Sequence, residues 1–287
     1  MIETMQQEYK EIATHGLFIM HMHNKMFRGT GMLNSSREPI NTFVFNKGKA
    51  QKVVIDEIPY TMPANSVLPL MSSQHFVFQQ PEELIAWQFN REFYCIVQHD
   101  TEVGCVGFLF YGIHHPMFVK LNKASITAVQ RVEKSFSEEM ELEDKFQGEM
   151  LRSLLKTLII RITRIAKSQS KAYQLCSDEK MNLVRKFSLL LEGNFKTQHE
   201  VKFYAAALNR SPKTLSNFFA MCHEPSPLKI IHTRIILEAK RYLHYTDKTA
   251  KEIAYDLGFE NPEHFSRFFK TNTGKNISAF KVEDKRL

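Results

Sequence analysis

The sequence predicts a two-domain α+β protein: a β-rich N-terminal part, a pair of helices, and an all-α C-terminal third. Three observations predict it. Short runs of β-branched and aromatic residues, broken by turn signals, fill roughly the first 120 residues, as in a small antiparallel barrel or sandwich. From Ser125 to about Ser168 Gly and Pro nearly vanish and the apolar spacing becomes helical. Beyond Asp178 an approximate repeat of about 50 residues carries the pattern of two helix-turn-helix units joined by a long helix.

The expected strands are 41–45, 51–57, 75–79, 83–90, 93–97 and 104–111. Turns such as Asn46-Lys47-Gly48, Pro63-Ala64-Asn65 and His99-Asp100 separate them. Ser125 is a fitting N-cap for a helix with Ile126, Val129, Val132 and Phe136 on one side. Further on, Leu151, Leu155, Leu158, Ile162 and Ile165 form an a/d seam of about two heptads. Such a seam suits either a helix packed on its own β domain or one that pairs with its copy in a homodimer. The polar stretch 166–176 reads as a linker, so the expected domains are 1–166 and 178–287 with 167–177 between them. Ser177, followed by Asp178 and Glu179, has the character of a capped helix start.

The repeat runs from Phe203 in its first copy and from Glu252 in its second. Ala205 corresponds to Ala254, Leu208 to Leu257, Ser211-Pro212 to Asn261-Pro262, and Phe218-Phe219 to Phe268-Phe269. In each copy a small alanine permits close approach of a second helix. Asn209 or Gly258 can take the left-handed conformation that ends the first helix. Ser211 or Asn261 then caps the second, with proline at its first position, where the missing N–H costs nothing. Leu215, Phe218 and Phe219 in one copy, and Phe265, Phe268 and Phe269 in the other, are spaced to face a core. The opposite faces are polar: Lys213, Thr214, Ser216 and Asn217 in the first, Glu263, His264, Ser266, Arg267 and Lys270 in the second. Between the copies, residues 227–243 make a helix of roughly 25 Å. Thr249 and Glu252 form a capping box that restarts the second unit.

Charge is divided unevenly. Residues 178–287 hold 19 basic and 13 acidic side chains, a net +6 of the chain's +7. A basic segment joined to a nearly neutral one suggests a polyanionic partner for the former. A rod of the length of 227–243 suits two recognition helices set about one DNA turn, roughly 34 Å, apart.

These residues resemble the DNA-binding domain of AraC/XylS-type transcription regulators. The resemblance covers about 178–287 and is carried by Arg234, Glu238-Ala239 and Tyr242-Leu243 in the linking helix. Glu252-Ile253-Ala254, Leu257-Gly258-Phe259, the run from Phe265 to Lys270, and Thr273-Gly274 complete it. His223-Glu224, Ile277-Ser278 and Lys281 depart from the family pattern. The resemblance implies sequence-specific binding of double-stranded DNA, with one helix of each unit in successive major grooves. On matching positions it implies base contacts from Lys213, Ser216 and Asn217, and from Glu263, His264 and Arg267. Lys213, Lys270 and the N-terminal amides of the two helices suit phosphates. The resemblance further implies a cupin-like N-terminal barrel that senses a small-molecule effector, with helices for dimerisation. A homodimer is expected, and contact with RNA polymerase would account for activation; repression is equally open.

No effector-binding residue follows from the sequence, although Phe43, Phe45, Phe76, Phe78, Trp87 and Phe89 could line a pocket inside a barrel. His21-Met22-His23 imitates a cupin metal pair, but no acid follows until Glu38, and His75, His99 and His114-His115 lack ligand spacing. No metal site, cofactor or catalytic residue is expected. A metal-dependent cupin enzyme and an effector-independent DNA binder are the rival readings. The four cysteines, Cys95, Cys105, Cys176 and Cys222, are scattered and fit reduced thiols. With no apolar run near the length of a membrane span and no secretory leader, a cytoplasmic location is expected.

Overall fold

The structure, a computed structural model, describes residues 5–25, 27, 40–56, 58–72, 74–96, 99, 109–110, 116–169, 178–222 and 225–284. The chain divides into two compact units, residues 1–174 and 175–287.

The first unit is built from two antiparallel sheets. One has the order β1-β2-β8-β3-β6-β9, from β1 (Met5–Glu11), β2 (Gly16–Met22), β3 (Ile40–Asn46), β6 (Ser66–Leu70), β8 (Leu84–Asn90) and β9 (Val119–Lys120). The other has the order β5-β4-β7, from β4 (Gln51–Ile55), β5 (Ile58–Met62) and β7 (Phe76–Phe78). The expected strands at 41–45, 51–57, 75–79 and 83–90 correspond to β3, β4, β7 and β8. Residues 93–96 run through turns instead of a strand, and most of 104–111 lies outside the described residues.

Strands β1, β2, β5, β6 and β9 were not expected, and their residues explain why. β1 (MQQEYKE) is an edge strand that pairs on one side with β2, so its side chains stay largely polar and exposed. β6 contains Pro69, which argues against a central strand. Among the described residues Pro69 lies beyond the part of β6 that pairs with β9, which is limited to Ser66 and Val67.

Alternation along the strands sends apolar residues to both faces of the larger sheet. Val44, Leu68, Leu70, Leu84 and Ala86 point toward the smaller sheet and share a core with Phe27, Val53, Ile55, Met62, Phe76 and Phe78. Their neighbours point the other way. Phe43 lies opposite Trp87 in the β3–β8 register, and Trp87 and Phe18 meet Phe136 of the following helix at ring distances of 5.8 and 5.2 Å. The six aromatic residues considered for one pocket are therefore split. Phe76 and Phe78 lie between the sheets, whereas Phe43, Phe45, Trp87 and Phe89 belong to the opposite face.

Among the described residues two helices complete the unit, α1 (Lys123–Met140) and α2 (Gln147–Gln169). The N-cap of α1 is Asn122, not Ser125: the Asn122 side chain accepts the Ser125 N–H at 2.8 Å. In α2 the proposed dimer seam is core. Leu151, Leu155, Leu158 and Ile162 are fully buried within this one unit, packed toward α1 and β9, and Ile165 is half-buried. Of the two uses of the seam, packing on the chain's own β domain is the one observed, so these side chains are not a surface offered to a second copy. α2 also continues through Gln169, so the first three residues of the expected linker are helical; 170–177, with the Ser177 cap, lie outside the described residues.

The described secondary structure of the second unit is all helix: α3 (Asp178–Asn194), α4 (Val201–Ala207), α5 (Pro212–Met221), α6 (Pro227–Tyr245), α7 (Ala250–Asp256), α8 (Pro262–Thr273) and α9 (Ile277–Asp284). The helical pairs α4–α5 and α7–α8 are the two copies of the repeat, and α6 joins them. Among the described residues no helix is long and apolar enough to cross a membrane.

Candidate nucleic-acid interface

The two copies fold with the same turn, closed by three corresponding hydrogen bonds. In the first, Leu208 N–H donates to the Tyr204 carbonyl, Asn209 to Ala206 and Arg210 to Ala205. In the second, Leu257 donates to Ile253, Gly258 to Tyr255 and Phe259 to Ala254. Asn209 and Gly258 both take the left-handed conformation, at φ of 53° and 75°. The alanines at the close approach, Ala205 and Ala254, are fully buried.

The caps that the sequence marks are made. The Ser211 hydroxyl accepts the Thr214 N–H at 3.1 Å, and Asn261 Oδ1 accepts that of Glu263 at 2.7 Å. Thr249 and Glu252 form the reciprocal capping box of α7. Leu215 and Phe219 anchor α5 in the core, as Phe265 and Phe269 anchor α8. Phe218 and Phe268 are only half-buried, at the flank of each helix.

This leaves one polar face on each of two equivalent helices. On α5, Lys213 and Asn217 are exposed and Thr214 and Ser216 half-exposed. On α8, Glu263, His264, Ser266, Arg267 and Lys270 are all exposed. No ion pair ties Lys213, Arg267 or Lys270 to an acid among the described residues, so these cations keep their donors for a partner. Arg and Lys can reach guanine O6 and N7, Asn pairs with adenine, and Glu accepts from cytosine N4.

A buried ionic cluster holds the frame between the two faces. Arg234 of α6 donates through Nε to Glu192 of α3 and through Nη1 to Glu238, both at 2.9 Å. Its guanidinium stacks 3.8 Å from the Phe195 ring centroid. Arg241 adds a 3.3 Å bond to Glu238, and Lys196 lies 3.7 Å away. Burial opposes the charge on Arg234, but the two carboxylates hold its proton more firmly than water does. Burial alone would raise the Glu238 carboxyl; Arg234, Arg241 and Lys196 overcome it and hold the group below the usual carboxylate range. The sequence offers Arg234 and Glu238 only as residues of a resemblance. Their (i, i+4) spacing is visible there, but the partner on α3 is not.

Three histidines surround the aromatic contact behind α8. His199 lies 4.7 Å from the Phe259 ring, His264 5.7 Å from it, and His232 4.9 Å from Phe268. Burial first, and then neighbouring charge, lowers the basicity of His199 and His232. A histidine harder to protonate when folded lets the unfolded chain bind more protons, so its stabilising effect is complete above the ordinary value of 6.5 and declines as pH falls below it. We expect the urea midpoint of the second unit to fall between about pH 7.5 and about pH 5.5. A His199→Gln/His232→Gln variant should show a flatter decline; an equal slope in both proteins would refute this origin.

The remaining histidines do other work. His21 Nε2 lies 2.8 Å from Gln88 Oε1 and its Nδ1 3.2 Å from Asn24 Nδ2, while His23 Nδ1 bonds the Glu82 carbonyl at 3.1 Å. His114 and His115 lie outside the described residues. Among the described residues no three His, Cys, Asp or Glu side chains are grouped to hold a metal ion. Cys95 is a buried free thiol, whereas Cys222, buried at the end of α5, is disulfide-bonded. That corrects the expectation of four reduced thiols, because sequence spacing does not reveal which sulfurs the fold brings together.

Residues 204–282 match a family model described as "Helix-turn-helix domain". Two such units on one frame, each with an exposed polar second helix, define a DNA-binding transcription regulator. No curated protein sequence matches the chain. Among solved structures, ToxT from Vibrio cholerae is similar at 13% identity and a TM-score of 0.41, over 98% of this chain and 97% of that one. A ToxT structure with a bound unsaturated fatty acid is similar at 16% identity and a TM-score of 0.40, over 98% and 97%. The AraC-like transcriptional activator CuxR is similar at 11% identity and a TM-score of 0.34, over 82% of this chain and 80% of that one.

Proposed function

We propose that the chain reads promoter DNA by setting α5 and α8 into successive major grooves of one duplex face. The observation that carries this reading is the matched pair of turns. Three corresponding backbone hydrogen bonds in each turn present two equivalent helices, and among the described residues the cations on both have no ion-pair partner. Arg267, Glu263 and His264 on α8, with Asn217, Ser216 and Lys213 on α5, are the proposed base-reading side chains. Lys270, with Thr214 and the N-terminal amides of both helices, grips phosphates.

Arg267→Ala is expected to cost about 1–3 kcal/mol on the cognate site and to relax preference at one base position. Lys270→Ala is expected to weaken binding about equally on all sequences and to lower the salt slope by about 1. Fluorescence anisotropy on randomised operators at several salt concentrations separates the two. An equal loss on all sequences for Arg267→Ala would reassign it to the backbone.

The reading is of a binding protein without a catalytic step, acting in the cytoplasm. The near-neutral N-terminal unit, residues 1–166 in the sequence reading, is assigned effector sensing and homodimer formation. Pairing must then use a face other than the buried seam of α2. Sedimentation of the full chain checks it: a monomer at every concentration would remove pairing from the proposal. Contact with RNA polymerase is the step by which a bound regulator of this kind would activate.

A further inference from the structure

The two helix-turn-helix units share a turn but not its filling. In the second, the residue after the left-handed position is Phe259, which is buried. Its ring packs 5.2 Å from both Phe265 and Phe268. In the first, the same place is taken by Arg210, whose N–H makes the matching bond to Ala205 but whose side chain is exposed. Its guanidinium bonds the neighbouring Asn209 carbonyl at 3.0 Å. The space that a phenyl ring closes in one unit is thus open in the other.

What remains is a groove of about 270 Å³ between α3 and the α4–α5 turn. Leu183, Leu208 and Phe218 give it an apolar floor, with Asn182, Lys186 and Arg210 among its polar lining. Phe218 is the counterpart of Phe268, the ring that Phe259 covers. Among the described residues no carboxylate lines the groove, and neither Lys186 nor Arg210 has an ion-pair partner. A concave site with an apolar floor and a few convergent polar groups is the usual form of a small-molecule site.

We propose that this groove binds a small organic anion with a flat apolar body, such as an aryl carboxylate. The body takes the place against Phe218 that Phe259 takes against Phe268. The carboxylate meets the Arg210 fork, which matches it in a bidentate geometry, and the Lys186 ammonium. The site lies in the DNA-reading unit, directly before the cap of α5, and its existence does not depend on the DNA reading.

The test uses the full chain with benzoate and phenylacetate as probes and benzamide as the uncharged control. A ligand this small is expected to bind near about 1 mM. At about 10 mM, benzoate should raise Tm by about 5 °C, and benzamide should not. Arg210→Phe, which supplies the missing ring, should abolish the response, and Lys186→Gln/Arg210→Gln should weaken binding about tenfold or more. The double variant carries the test if Arg210→Phe fails to fold. Three results would overturn the proposal. Neither acid shifts Tm; the shift survives both variants, placing the ligand elsewhere; or benzamide matches benzoate. If the acids are silent while the double variant lowers the salt slope of DNA binding, the two cations grip backbone phosphate instead.

Discussion

Gly258→Ala is expected to destabilise the C-terminal unit by at least about 3 kcal/mol and to abolish tight binding to a two-groove site. Two independent costs meet at this residue. Its φ of 75° is a conformation that a side chain disfavours, and a Cβ built there would stand 2.1 Å from the Lys196 carbonyl oxygen. Backbone cannot swing aside as a side-chain end can. The close approach matters for function because Lys196 follows α3, in the first half of the unit, whereas Gly258 is the turn of the second. A shift that relieved the overlap would therefore change the spacing between α5 and α8. Gly274 provides the control. It has nearly the same φ, 76°, but open space around its Cβ direction, so Gly274→Ala should cost only about 1 kcal/mol. Equal urea midpoints for the two variants would show that the Lys196 contact carries no weight.

The C-terminal unit was legible because its rules are local. Ser211 and Asn261 before proline, Thr249 with Glu252, and alanine at each close approach all act within one or two turns of chain. The N-terminal unit was legible in class but not in detail. β2 (GLFIMHM) is buried along nearly its whole length, so it lacks the alternation that marks a half-exposed strand. Which face of the larger sheet Trp87 occupies is decided by register with β3, a pairing between residues more than 40 apart in sequence. The heptad spacing of α2 was read correctly as an apolar face, but spacing does not say whether that face meets its own sheet or a second copy. For the candidate site, the polar positions on α5 and α8 followed from the repeat. The exchange of Phe259 for Arg210 was equally visible in it, yet its consequence, an open groove, requires the neighbouring α3.

Arg234→Met is expected to cost the C-terminal unit about 3–5 kcal/mol, more than any change on the two polar faces. The reason is asymmetry. The guanidinium and its carboxylates were desolvated together on folding, and each offsets the other's burial. Removing the cation leaves Glu238, which is largely enclosed, without its main partner, and leaves Glu192 on α3 without its tie to α6. Methionine keeps much of the apolar stem and the contact with Phe195, so the loss reports charge rather than volume. A companion variant, Arg234→Met/Glu238→Leu, removes the stranded carboxylate and should recover a substantial part of the loss. Arg234→Lys should fall between, because a single ammonium cannot serve Glu192 and Glu238 with the fork's two directed bonds. Urea titrations of all four proteins decide the matter. If the double variant were as unstable as the single one, the cluster would hold α3 to α6 through packing on Phe195, and charge pairing would not set the separation of the recognition helices.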